Sequence, residues 1–184
     1  MKRGANVSLT REIPGLAGVV MGVSWAAGGE TALTDNLVFA AILCDANNRA
    51  LSDEHFVFFN QLASPDLSVQ QLDQVLGDDQ EQIEIDLNAV PANVDRVVLV
   101  LYVNDGPAQR RTLGQLRGCS LRVLNLADNR ELVRSEDFAP ALDSETALAL
   151  GEMYRHDGEW KFKVLGQGYA KGIAGIATDY GLSL

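Results

Sequence analysis

Two uninterrupted apolar runs limit what this chain can fold into. Residues 37–44 read LVFAAILC and residues 96–103 read RVVLVLYV. A run of that length without polar alternation is a strand buried on both faces, so each needs cover above and below its sheet. Further strand signals surround them. Val19 to Trp25 is valine-rich, with Gly22 where a bend or a close backbone approach would suit. Phe56 to Phe59 is a short apolar segment followed by Asn60 and the turn signal Ser64-Pro65-Asp66. Ile83, Ile85 and Leu87 alternate with Glu84 and Asp86, which turns one face to a core and carboxylates to water. Leu121 to Leu126 alternates less cleanly. Met153-Tyr154-Arg155 and Trp160 to Val164 flank His156-Asp157-Gly158-Glu159, where Asp-Gly marks a hairpin.

Helical signals are sparse. Ser144 to Leu150 suits either a strand or a short helix capped at Asp143 or Ser144. Ala170 to Thr178 suits a short C-terminal helix weakened by Gly172 and Gly175. With 184 residues, 47% of them hydrophobic, the chain can bury one core and is short for two independent ones. The expectation is a single all-β domain over 1–184, a β-sandwich of two packed sheets with a few short helices.

Charge is unevenly spread. Between Arg49 and Arg96 there is no Lys or Arg, yet Asp53, Glu54, Asp66, Asp73, Asp78, Asp79, Glu81, Glu84, Asp86 and Asp95 all lie there. The chain has 25 acids and 15 bases, so those ten acids equal its whole formal charge of −10. Carboxylates gathered by folding need a bound cation, a basic partner or free hydration. The balance argues against nucleic acid or anionic lipid as a partner. The charge-free stretch from Ile13 to Gly29 is broken by Pro14 and several glycines, too weakly apolar for a spanning helix. As a leader, with Lys2, Arg3 and Arg11 as its basic end and Ser24-Trp25-Ala26 as its cleavage site, it fits poorly. Cys44 and Cys119 sit beside apolar residues and read as small core side chains in a reducing cytoplasm, a single disulfide being the weaker alternative.

Catalytic motifs are missing. No G-x-S-x-G elbow, H-E-x-x-H pair or phosphate loop occurs. Gly166 to Gly172 is like a dinucleotide loop, but Lys171 replaces its third glycine, and the segment reads as a turn into the last helix. His55 and His156 belong to no nucleophile motif and read as surface or turn residues. The expectation is a protein that is not an enzyme. Calcium is the sharper reading, since it takes six to eight oxygens from flexible loops. Asp73, Asp78 and Asp79 with the glycine between them supply such oxygens, and Asn60 and Asp66 can approach from the preceding loop. The acids do not alternate as an EF-hand requires.

The chain resembles the TerD family of bacterial tellurium-resistance and general stress proteins over almost its whole length. Arg3 to Thr10 and Pro14-Gly15-Leu16 are similar to the family's K-G-x-N-x-S-L-T…P-G-L opening. Ser52 to Asn60, then Ser64-Pro65-Asp66 and Ser68-Val69, follow its S-D-x-x-F-V-F-Y-N…S-P-x-x-S-V pattern. Gly151 to Phe162 is near its G-E-L-Y-R-x-x-G-E-W-K-F signature. The resemblance implies a calcium-binding β-sandwich active in tellurite resistance and stress, assembled with other Ter-family proteins near the inner membrane.

Departures fall on the metal loops. Where the family has D-L-D-x-S, this chain has Asn36-Leu37-Val38-Phe39-Ala40, with Asp35 next door as a substitute. The family's glycine-rich acidic loop is shortened to Leu72-Asp73-Gln74 and Gly77 to Glu81. Fewer acids and a shorter loop predict at most one Ca²⁺ site, with Asp78 and Asp79 its core. The alternative is a metal-free member that serves as a scaffold for other Ter-type proteins.

Overall fold

The two apolar runs pair with each other, Leu37 opposite Val103 and Cys44 opposite Arg96. The computed structural model describes residues 1–29, 31–104 and 111–184. In chain order the strands are β1 (Asn6–Ser8), β2 (Gly18–Ala26), β3 (Leu37–Cys44), β4 (Phe56–Val57), β5 (Val69–Gln71), β6 (Glu81–Asp86), β7 (Arg96–Val103), β8 (Gly118–Asn125), β9 (Glu131–Arg134), β10 (Ala147–His156) and β11 (Glu159–Tyr169). Three short α-helices, α1 (Leu9–Glu12), α2 (Thr31–Thr34) and α3 (Ile173–Tyr180), and single 3-10 turns at Asp53–His55, Leu113–Gln115 and Ala139–Ala141 complete the described elements. A six-stranded sheet runs β1-β11-β10-β7-β3-β4 and a five-stranded sheet runs β5-β6-β2-β8-β9. Adjacent strands in both sheets are antiparallel.

The sheets face each other across one core. Phe39, Leu99, Leu101 and Phe162 of the larger sheet meet Met21, Val23, Ile83 and Val123 of the smaller one. A second apolar layer explains why β3 and β7 lack polar alternation. Their other face, with Val38, Ala40, Ile42, Val98 and Val100, packs under Ile176, Ala177 and Tyr180 of α3. On one side the chain itself joins the sheets. After β4 a tight turn ties Phe58 to Gln61, and the next residues run along β5, with Gln71 N–H donating to Leu62 C=O at 2.8 Å.

Several expectations sharpen. Of Ser144 to Leu150, residues 147–150 open β10 as strand, flanked by β7 and β11 with ladder positions occupied on both sides, while Ser144, Glu145 and Thr146 lie in the bend before it. Only Phe56 and Val57 of the apolar segment pair as strand. The dinucleotide-like glycines Gly166 and Gly168 lie inside β11 rather than in a turn, and the turn begins only after Tyr169. Their missing side chains make room for Arg3 and Glu145, whose side-chain atoms lie 2.7 and 2.6 Å from where a Cβ would stand. Ser24-Trp25-Ala26 form the end of β2, inside the smaller sheet.

Candidate functional site

The five expected ligands are set in different surroundings. Asn60, Asp73 and Asp78 are exposed. Asp66 closes its own turn: its Oδ1 accepts Ser64 Oγ–H at 2.8 Å, Ser68 N–H at 2.8 Å and the Ser68 hydroxyl. Burial pushes its carboxyl up, but these donors outweigh burial and hold it below the usual range. Asp79 is buried, its side chain 1% exposed, on the outer face of the smaller sheet. Arg122 Nε–H donates to its Oδ1 and Oδ2 at 2.9 and 3.0 Å, Ser24 Oγ–H to Oδ1 at 3.1 Å and Gln82 Nε2–H to Oδ2 at 2.8 Å. Among the described residues, no three His, Cys, Asp or Glu side chains converge where a metal ion could sit.

A different carboxylate stands nearer to what a cation requires. β3 begins where β7 ends, and Asn104 N–H donates to Asn36 C=O at 2.7 Å across that end. Glu81, the first residue of β6, reaches the same rim. Its Oε2 accepts Phe39 N–H at 3.3 Å, on the edge of β3 opposite β7 and beyond the reach of β4, and its Oε1 accepts Gln71 Nε2–H at 3.2 Å. Burial raises the Glu81 carboxyl, offset only by the Phe39 N–H, and no lysine or arginine among the described residues lowers it. Burial, and then the Glu81 charge, pushes the Tyr102 phenol up to about 12. Asp35, Asn36, Phe59, Glu81 and Asn104 line a recess of about 290 Å³. Its polar side chains carry two carboxylates and two amides, the hard oxygen donors that calcium takes. The sequence reading took Asp35 only as a substitute and Glu81 only as the end of the acidic loop. Asn104 carried no signal, because its place follows from the pairing of β3 with β7.

No histidine or cysteine lines this recess. Ser52 Oγ and His55 Nδ1 lie 2.6 Å apart within one turn, and His156 stands in the exposed β10–β11 hairpin beside Asp157. Arg155 stacks 4.4 Å over Trp160 and donates to the carbonyls of Val90, Pro91 and Val94, so this part of the signature pins the loop before β7. Cys44 and Cys119 are free and buried in two different layers, one under α3 and one between the sheets. Burial pushes both thiols up to about 12, which leaves almost no thiolate near neutrality. Dithionitrobenzoate is expected to titrate neither thiol in native buffer and both in denaturant, read by absorbance; rapid reaction of the folded protein would contradict this burial.

Comparison with known proteins agrees with this fold. The TerD domain matches residues 1–180. Over 187 aligned positions the chain is 37% identical to tellurium resistance protein TerD of Serratia marcescens, covering 100% of this chain and 97% of that protein. Over 193 positions it is 40% identical to general stress protein 16U of Bacillus subtilis (strain 168), again covering 100% and 97%. The fold is similar to the crystal structure of a homologue of telluride resistance protein (TerD) from Streptomyces coelicolor A3(2), with a TM-score of 0.65 at 20% identity over 89% of this chain and 96% of that one. Among the described residues no helix is long and apolar enough to cross a membrane. On the match along nearly its whole length, the chain belongs to the TerD family, whose relatives are named for tellurium resistance and general stress.

Proposed function

We propose that this protein is a non-catalytic, cytoplasmic stress and tellurite-resistance module that takes a single calcium ion in the rim recess of Asp35, Asn36, Glu81 and Asn104. The observation that carries this reading is Glu81, a half-buried carboxylate at the recess that accepts only from Phe39 N–H and the Gln71 amide, with no cationic partner among the described residues. Leaving a buried charge uncompensated is costly, and a hard divalent ion would remove that cost. Asp78 and Asp79 fit a metal less well, because Arg122 already neutralises Asp79 and Asp78 stands free in solvent. Work alongside other Ter-family proteins belongs to the same reading, supported by relatives named TerX of Serratia marcescens and TerA of an Alcaligenes species.

Calorimetric titration with CaCl₂ tests the site. Wild type is expected to show one saturable binding event, Asp78→Asn to retain it and Glu81→Gln to lose it. No heat from wild type, or loss in Asp78→Asn with retention in Glu81→Gln, would sink the assignment. The first result would favour the metal-free scaffold.

The pH dependence follows from burial. Because burial raises the Glu81 carboxyl, protons compete with calcium at a higher pH than for an exposed glutamate, so affinity falls as pH drops through that raised value. For the metal-free protein the linkage has the opposite sense. The stability gained by protonating Glu81 is fully present below the unfolded-state value and lost as pH rises through the folded-state value. In chelator, Glu81→Gln should therefore melt higher than wild type at neutral pH and no higher in acid.

A further inference from the structure

We infer that Arg122 is the built-in counter-ion of the acidic loop, and that the Asp79–Arg122 clamp, rather than a metal, orders residues 72–80 and fixes where Glu81 leaves the loop. Arg122 and Asp79 meet on the outer face of the smaller sheet, and neither lines the rim recess. In the ladder, Gly22 of β2 lies between Gln82 of β6 and Arg122 of β8. The Asp79 carboxylate rests on this glycine: a Cβ at Gly22 would stand 2.0 Å from Oδ2. Gln82 holds the carboxylate from one side and Arg122 from the other, at 2.8 and 2.9 Å.

The same partners carry the rest of the loop. Gln82 Nε2–H also donates to Leu76 C=O at 2.9 Å, while its Oε1 accepts Leu76 N–H at 3.2 Å. Gln80 N–H donates to Val23 C=O at 2.9 Å, and Gln80 Oε1 accepts Trp25 N–H at 2.8 Å. Leu72 N–H reaches Gln82 C=O at 3.0 Å. The loop is thus stitched to β2 and β6 at both ends, around one neutralised carboxylate. A divalent cation approaching Asp79 would meet a guanidinium already at hydrogen-bond distance, with Arg134 close behind. Since Glu81 follows Asp79 by two residues, the clamp also sets the start of β6 and is a positioning pair for the recess. Only this last step rests on the calcium reading.

Hydrogen exchange by mass spectrometry, in EDTA and in excess CaCl₂, tests the clamp. Amides of residues 72–80, which stop short of the proposed ligand Glu81, are expected in wild type to exchange at the same rate in both buffers. Arg122→Gln removes the cation; Gly22→Ala pushes the carboxylate off its seat without changing any charge. Both variants should speed exchange in that segment about tenfold or more, with β3 and β7 at wild-type rates. A wild-type segment unprotected in EDTA and protected by calcium would overturn the inference without reference to any variant. So would wild-type rates in both variants. For the positioning step, Arg122→Gln should bind calcium at least about fivefold more weakly than wild type. Unchanged affinity would refute that step, whereas a wild type that binds no calcium would refute the calcium reading and leave the clamp standing.

Discussion

Arg122→Ala is expected to lower the unfolding free energy by about 3 kcal/mol, measured by urea denaturation. The side chains of Asp79 and Arg122 are 1% and 18% exposed, so removing the guanidinium leaves a carboxylate charge in a place water scarcely reaches. Ser24 and Gln82 still donate to it, but neither supplies a positive charge. The partial exposure of Arg122 puts the loss at the low end of what breaking a buried pair costs. A double-mutant cycle isolates the charge effect. Asp79→Asn keeps the shape of the group and removes its charge, so Arg122→Ala combined with Asp79→Asn should be more stable than Arg122→Ala alone. A loss under about 1 kcal/mol for Arg122→Ala would mean that water or another residue satisfies the carboxylate.

Phe162→Ala should cost about 3–5 kcal/mol in the same assay, a large share of the stability of an ordinary domain. Phe162 is fully buried between the sheets, on the strand that pairs with both β1 and β10. Its ring lies against Gly151, where a Cβ would come within 3.0 Å of two ring atoms. Truncation opens a cavity under two strand pairings at once, and the β1 edge, only three residues long, has little else to hold it. Phe162→Leu should lose far less, because most of the volume stays. Equal losses for the two variants would show that the ring has a role beyond filling space.

These two sites show why the fold was more legible than the chemistry. The runs at 37–44 and 96–103 announced two-sided burial, and both sides are present, the sandwich core on one and α3 on the other. The alternation at Ile83 and Ile85 also placed β6 correctly, since its pattern depends only on neighbours in the chain. The most recognisable motif, Gly151 to Phe162, proves to be scaffold: Gly151 admits the Phe162 ring, and Arg155 lies on Trp160. Charge was harder to read because it is settled between distant segments. Adjacent acids Asp78 and Asp79 look equivalent in the sequence, yet one is exposed and the other is buried against a base 43 residues away. Gly22 gave a hint of close approach, but nothing nearby in sequence identified the approaching group as a carboxylate.

The larger sheet keeps its outward apolar face hidden with one short helix, and this makes the fold a shell with a removable cover. The helix contributes few side chains, Ile176, Ala177 and Tyr180, while the sandwich beneath has its own separate interior. Opening at α3 therefore needs much less free energy than melting the sheets. A molecule that lost only this strap would keep every strand pairing and display a plate of valine and isoleucine to its surroundings, which makes its first stage of damage stickiness rather than collapse.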